Sequence, residues 1–122
     1  MWSLQNLAPN GYPDMARIGA LLPLHGNGQI SHTSQLGDNY RFAIAWNADI
    51  SSYDVFIERG ADYRGRDSSL HATHRLKRTS DQYHRICFQA GKEPKDLRMA
   101  VAMSLVWAER TSTYIANGNS WS

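Results

Sequence analysis

An α+β fold is predicted by three observations along the chain. Two stretches near its middle alternate apolar and polar residues, two further apolar runs follow between polar turns, and a long stripe at helical spacing begins only near residue 94. Strands therefore come first and a packing helix afterwards, the order expected of α+β rather than of alternating α/β architecture. The expected architecture is an antiparallel four-stranded meander covered by a long C-terminal helix. At 122 residues the chain suits one domain, 1–122, with an irregular N-terminal segment at 1–14.

That opening segment carries Pro9, Asn10-Gly11 and Pro13, which break regular structure, while Trp2 and Leu4 are available to anchor it. Ile18 to Leu24 is a compact apolar run interrupted by Pro23, which predicts an edge strand because proline cannot donate to a central ladder. His25-Gly26-Asn27-Gly28 then reads as a turn. Gln29 to Asn39 is polar, with Ile30 and Leu36 as its large aliphatics, and predicts a weak strand plus loop.

The next segments carry clearer periods. Phe42, Ile44 and Trp46 share one parity and Arg41, Ala43 and Ala45 the other, the alternation of a half-buried strand. Tyr53, Val55 and Ile57 repeat the pattern against Asp54, Phe56 and Glu58, and the Asn, Asp and Ser residues between the two runs suit a hairpin connection. Arg59 to Ser69 is charged and contains two glycines, so it predicts a surface loop. Leu70 to Leu76 is expected as a third strand, placing Leu70, Ala72, His74 and Leu76 on one face and His71, Thr73 and Arg75 on the other. After the polar tip Lys77-Arg78-Thr79-Ser80-Asp81, Tyr83 to Phe88 is expected to return as the fourth.

A helix is predicted from about Pro94 to Ala116. Proline suits the first helical position, and Asp96 lies where the helix dipole favours an anion. Leu97, Val101, Leu105, Ala108, Ser112 and Ile115 form its apolar stripe, with Met103, Val106, Trp107 and Tyr114 alongside. Asn117-Gly118 supplies a C-cap, beyond which Trp121 is placed to fold back on the core.

Composition narrows the function classes. Hydrophobic residues at 42% and charged residues at 20% lie near globular averages, which predicts a folded domain rather than a disordered chain. Thirteen Lys and Arg against eleven Asp and Glu leave a formal charge of +2, too small to imply nucleic acid by itself. A single cysteine cannot form an intramolecular disulfide, and the N-terminus lacks a basic region followed by a long apolar one. A cytoplasmic location is expected, with no membrane partner, because no apolar run approaches the roughly 20 residues of a membrane span.

Five histidines invite a metal hypothesis. His71 and His74, three apart on an expected strand, point to opposite faces, and His25 and His32 flank a loop without a second cysteine or clustered carboxylates beside them. No metal site is expected. Gly26-Asn27-Gly28 is accompanied by neither a P-loop lysine nor a dinucleotide fingerprint, so no cofactor is expected either. Arg75, Lys77, Arg78 and Arg85, with Tyr83 and His84 interleaved, gather along one expected hairpin. They read either as a solvated tip or as a nucleic-acid contact in which cations meet phosphate and the tyrosine stacks on a base.

Cys87, in the run Tyr83-His84-Arg85-Ile86-Cys87-Phe88, carries the remaining chemistry. It is either a buried packing residue or an accessible thiol whose pKa the neighbouring Arg85 or His84 lowers. As a nucleophile it would need a base, for which His74 and His84 are the candidates by topology.

The order Phe42–Trp46, Tyr53–Ile57, Tyr63, Leu70–His74, Arg85-Ile86-Cys87-Phe88, then Trp107, Tyr114 and Trp121 resembles the ubiquitin-conjugating-enzyme (UBC/RWD-type) fold, especially its divergent bacterial forms. The likeness spans about residues 40–121 as a pattern rather than a motif. It implies a ubiquitin-conjugating-like protein in which Cys87 accepts a small modifier as a thioester and passes it to an amine, with the modifier and its activating enzyme as partners. The family's His-Pro-Asn triplet is absent, the chain reading Thr73-His74-Arg75-Leu76. The N-terminal helix that the family presents to its activating enzyme has no counterpart in Met1 to Asp14. The alternative reading is a noncatalytic α+β binding module contacting protein or nucleic acid.

Overall fold

The computed structural model describes residues 13–21 and 28–119. It contains a short helix α1 (Met15–Leu21), strands β1 (Gln29–Thr33), β2 (Asn39–Asn47), β3 (Ser52–Arg59), β4 (Arg75–Leu76) and β5 (Arg85–Ile86), and a long helix α2 (Leu97–Asn117). All pairings are antiparallel, in the order β1-β2-β3-β5-β4. The α+β class, the antiparallel sheet and the long C-terminal helix are therefore as the sequence indicates, with five strands in place of four.

β2 and β3 form the centre of the sheet. Their alternation puts Tyr40, Phe42 and Ile44 of β2 and Val55 and Ile57 of β3 on the face that α2 covers, where Phe42 pairs with Ile57 and Ile44 with Val55. From the helix, Val101, Leu105 and Ala108 are fully buried against them. A bulge between Arg41 and Phe42 inserts Glu58 as an extra residue in β3. Trp46 shares the parity of Phe42 yet stays exposed, its ring packing edge-on against Tyr53 at 5.0 Å.

The polar segment after residue 28 is a full strand because its backbone pairs residue for residue with β2 from Gln29–Ala43 to Thr33–Asn39. Gly28 begins it with φ +73°, and a Cβ there would stand 2.5 Å from the Ile44 carbonyl oxygen, so glycine alone lets the two chains approach. The rest of the expected turn, His25 to Asn27, lies outside the described residues, as do Trp2, Leu4, Leu22 to Leu24 and Trp121.

Three expectations for local structure change. The edge strand expected from Ile18 is instead the helix α1: the Asp14 carboxylate accepts the Arg17 amide at 3.0 Å as a cap, and Met15 and Ile18, three apart, both turn to the core. The strand expected at Leu70–Leu76 is reduced to Arg75–Leu76 because Ser and Thr side chains capture the backbone before them. The Thr73 hydroxyl donates to the Ser69 carbonyl at 2.7 Å, the Arg75 amide to the Leu70 carbonyl at 2.9 Å, and His74 takes φ +53°. Consequently His71 and His74 do not occupy alternate strand faces. The last strand, expected at Tyr83–Phe88, is limited to Arg85–Ile86 and lies between β3 and β4 rather than outside them.

Helix α2 starts three residues after Pro94. The Pro94 carbonyl accepts the Tyr53 amide at 2.9 Å, tying the helix approach to β3, and Asp96 acts as the N-cap by accepting the Met99 amide at 2.8 Å. Gly118 closes it in the left-handed conformation at φ +78°, its amide returning to the Tyr114 carbonyl. The Cys87-bearing segment and the loop before β4 thus reach the C-terminal two-thirds of a helix fixed at both ends.

Leu105 is 0% exposed at the middle of this interface. Leu105→Ala is expected to cost about 2–5 kcal/mol in chemical denaturation, the range for a large-to-small change in a packed core. A loss below about 0.5 kcal/mol, as at a surface position, would refute the packing.

Candidate functional site

Two open grooves flank Trp107, and between them they hold most of the residues singled out by chemistry. The Trp107 ring meets Tyr40 and Phe42 edge-on at 5.8 and 6.0 Å, and its indole N–H donates to the Thr73 carbonyl at 3.0 Å. This bond fixes the turn 70–74 against the helix. On one side of it runs the segment carrying Cys87, on the other the loop from Gly60 to Ser68.

Cys87 follows β5 by one residue, and its amide donates to the His74 carbonyl at 2.9 Å, extending the β4–β5 ladder. Its side chain is exposed, so the thiol is not a core packing group. It opens on a groove of about 310 Å³ whose walls are His74 and Phe88 from the sheet edge, Gln89 and Lys92 from the following turn, and Met103 and Trp107 from α2. Of the two proposed bases, His74 lines this groove and His84 does not.

His84 lines the second and larger groove, about 480 Å³, with Tyr63, Arg75, Lys77, Gln82 and Tyr83. The Arg75 guanidinium lies 5.0 Å from the centre of the Tyr63 ring and donates from Nε to the Thr73 hydroxyl at 2.7 Å, from Nη2 to the Ser68 carbonyl at 2.6 Å, and from Nη1 to His84 Nδ1 at 2.9 Å. A guanidinium only donates, so Nδ1 must accept and the imidazole is neutral with its proton on Nε2. Burial, followed by the charges of Arg75 and Lys77, holds the His84 pKa below its ordinary value. Burial also raises the Tyr63 hydroxyl, against the opposing pull of Arg75.

The four basic residues expected along one hairpin do not make one patch. Register places Arg75 opposite Ile86 and Leu76 opposite Arg85, so Arg75 and Arg85 project from opposite faces of the sheet. Arg85 is buried at 9% side-chain exposure, bidentate to Asp81 at 2.6 and 2.9 Å, 2.9 Å from Asp54 and stacked 4.7 Å over Phe56. Its charge is neutralised within the fold. Arg78 is exposed and its backbone closes a turn with Asp81, while Lys77 reaches the Arg75 groove. Arg75 and Lys77 thus share a site, Arg78 stands at the tip, and Arg85 serves the sheet.

The sequence reading also passed over a buried polar cluster between β1 and α2. His32 Nε2 lies 2.7 Å from Glu109 Oε2, and the Tyr40 hydroxyl, 2.8 Å from Ser112, joins a chain that continues to Ser34. Burial drives the Tyr40 hydroxyl well above its usual pKa. The available signal was the parity of His32 and Ser34 with Ile30, which places polar groups on the inward face of a strand that otherwise looked too polar to pack. Among the described residues no group of three or more His, Cys, Asp or Glu could hold a metal ion. Nor is any helix among them long and apolar enough to cross a membrane.

No protein-family model, no curated protein and no solved structure matches this chain significantly.

The Arg85 cluster has a readable pH signature. Hydrogen bonding from Arg85 lowers the Asp81 carboxyl to about 2. A depressed carboxylate stabilises the fold fully above its unfolded value of about 4 and loses that contribution as the pH falls towards the folded one. Denaturation midpoints measured between pH 6 and pH 2.5 should therefore fall more steeply for the native sequence than for Asp81→Asn. Equal slopes would show that the pair does not form in solution.

Proposed function

We propose that this domain is a thiol-dependent acyl carrier, with Cys87 accepting the C-terminal acyl group of a small ubiquitin-like modifier and transferring it to an amine. The observation that carries this reading is the exposure of the chain's single thiol at the end of a strand, in an open groove beside His74. A thiolate is the nucleophile in such transfer, and exposure is its first requirement. The resemblance to ubiquitin-conjugating enzymes in the order of elements around Cys87 supports the same class of reaction and names the modifier and its activating enzyme as the partners.

In the charging step, Cys87 Sγ attacks the carbonyl carbon of the donor thioester; a new C–S bond forms, the old one breaks, and the proton from Cys87 passes to the departing donor thiolate. In discharge, an acceptor amine attacks the same carbon, an amide forms, and Cys87 leaves as a thiolate. The amine loses a proton in this second step, and His74 is the base offered by the groove. No asparagine replaces the one missing from the family's triplet, since the position two beyond His74 is Leu76. The Gln89 side chain lines the groove and is the neutral amide available there to donate to the developing oxyanion.

Iodoacetamide should alkylate Cys87 in the folded protein at a rate comparable with that in urea, and protection on folding would refute an acceptor role. Mixed with modifier, activating enzyme and ATP, the domain should give an adduct that reductant removes, whereas Cys87→Ser should give one that survives it, because an alkoxide leaves less readily than a thiolate. His74→Ala should slow discharge to amine by about a hundredfold, the lower range of general-base catalysis, with alkylation unchanged. No reductant-sensitive adduct, in a mixture that charges a ubiquitin-conjugating enzyme run alongside, would leave a noncatalytic binding module.

A further inference from the structure

The groove on the other side of Trp107 has a chemistry of its own. Its polar lining includes hydrogen-bond donors and two cations that the fold leaves uncompensated. Among the described residues no carboxylate pairs with Arg75 or Lys77, in contrast to Arg85, which takes two. Arg75 commits one hydrogen from each terminal nitrogen, to His84 and to the Ser68 carbonyl, and the second hydrogen on each meets no partner among the described residues. The His84 Nε2–H likewise meets no acceptor there. Gln82 adds an amide, and Lys77 an ammonium, at the same wall. A half-buried guanidinium held by three neutral acceptors is positioned without being neutralised, which is how a protein holds a cation for an incoming anion.

Size and aromatic lining narrow the anion. At about 480 Å³ the groove lies within the range of small-ligand sites, roughly 300–1,000 Å³, and has space well beyond a single inorganic anion. Tyr83 stands at its rim as one of the exposed large side chains, and Tyr63 forms its floor beneath Arg75. Aromatic faces beside a phosphate-binding cation are the arrangement on which a nucleobase stacks while its phosphate is held. We propose that this groove binds a nucleoside monophosphate, free or as the 5′ end of a single strand, with Arg75, Lys77 and His84 donating to the phosphate and Tyr83 stacking on the base.

The site is separate from Cys87, which lines the opposite groove, and does not depend on thiol chemistry. It also differs from a general basic patch, since Arg85 takes no part and Arg78 lies beyond the groove wall. Only one phosphate is recognised at close range. Binding should therefore show the shallow salt dependence of one or two ionic contacts rather than the steep one of an extended backbone track.

Titration of the isotope-labelled domain with AMP at low salt, followed by NMR, tests the proposal. Resonances of Arg75, Lys77, Tyr83 and the Trp107 indole should shift in a saturable manner. Adenosine and inorganic phosphate should each bind at least about tenfold more weakly than AMP, because each supplies only one of the two contacts. Lys77→Gln and Tyr83→Ala, both at exposed positions that leave the Arg75 network intact, should each weaken AMP binding about three- to tenfold, a loss in the range of single charge-assisted or stacking contacts. Arg75→Gln should abolish it. A 5′-phosphorylated octathymidylate that binds better than its 5′-hydroxyl form would identify a strand end as the source, and AMP binding alone a free nucleotide. Absence of saturable shifts at millimolar AMP, AMP binding unchanged in both Lys77→Gln and Tyr83→Ala, or a preference for acetate or a peptide carboxylate over AMP would overturn the proposal.

Discussion

The hydrogen bond from the Trp107 indole to the Thr73 carbonyl is the constraint on which the arrangement of both grooves depends. Trp107 sits near the middle of α2, 5% exposed, clamped by Tyr40 and Phe42 of β2. Its polar edge therefore emerges from the core at one place. The turn 70–74 carries no long ladder of its own, and this bond fastens it to the helix. From that attachment Thr73 extends in two directions. Its hydroxyl accepts from Arg75 and orients the guanidinium, and the next carbonyl, of His74, accepts the Cys87 amide. One buried indole thereby sets the position of a cation on one side and of a thiol on the other.

Charge is distributed across the sheet in a way that separates support from availability. On the face away from α2, Arg85 is buried with Asp54, Asp81 and the Phe56 ring, and the bidentate geometry satisfies a charge that would otherwise be costly to bury. The neighbouring strand β4 carries Arg75 on the opposite face, where the partners are a carbonyl, a hydroxyl and a neutral imidazole. The two arginines belong to adjacent strands one register position apart. Their different surroundings come from the alternation of the strands, and that alternation gives one a structural task while leaving the other charged towards solvent.

Where α2 meets β1 the interface is polar. Ser34, Tyr40 and Ser112 satisfy one another within a region where unpaired hydroxyls would be expensive, and His32 meets Glu109. Glu109 also accepts the Gln35 amide, so the helix holds both β1 and the turn that follows it. This explains how a strand with one large aliphatic residue remains attached to the sheet: its inward positions are fastened by directional bonds rather than by apolar area.

Where a segment's own period or termini were decisive, the sequence by itself determined the outcome. The alternation from Tyr40 to Trp46 and from Tyr53 to Ile57 defined the central hairpin, and the stripe from Val101 to Ile115 with Gly118 behind it defined α2 and its buried face, because a side-chain period fixes which face leaves water. Cys87 was legible as the single thiol, although not its exposure. The tertiary structure decided the rest, for reasons no local pattern contains. Leu70 to Leu76 alternates like a strand, yet Ser69 and Thr73 bond their own backbone and Trp107 takes the Thr73 carbonyl, so the chain turns instead. Ile18 belongs to a helix because Asp14 caps it and α2 receives it. Arg75 and Arg85 look equivalent in a basic run; only the placement of β5 between β3 and β4 put carboxylates around one and left the other facing an open groove. Pairing partners distant in sequence set the energy of each charge, and those partners are fixed only when the sheet closes against the helix.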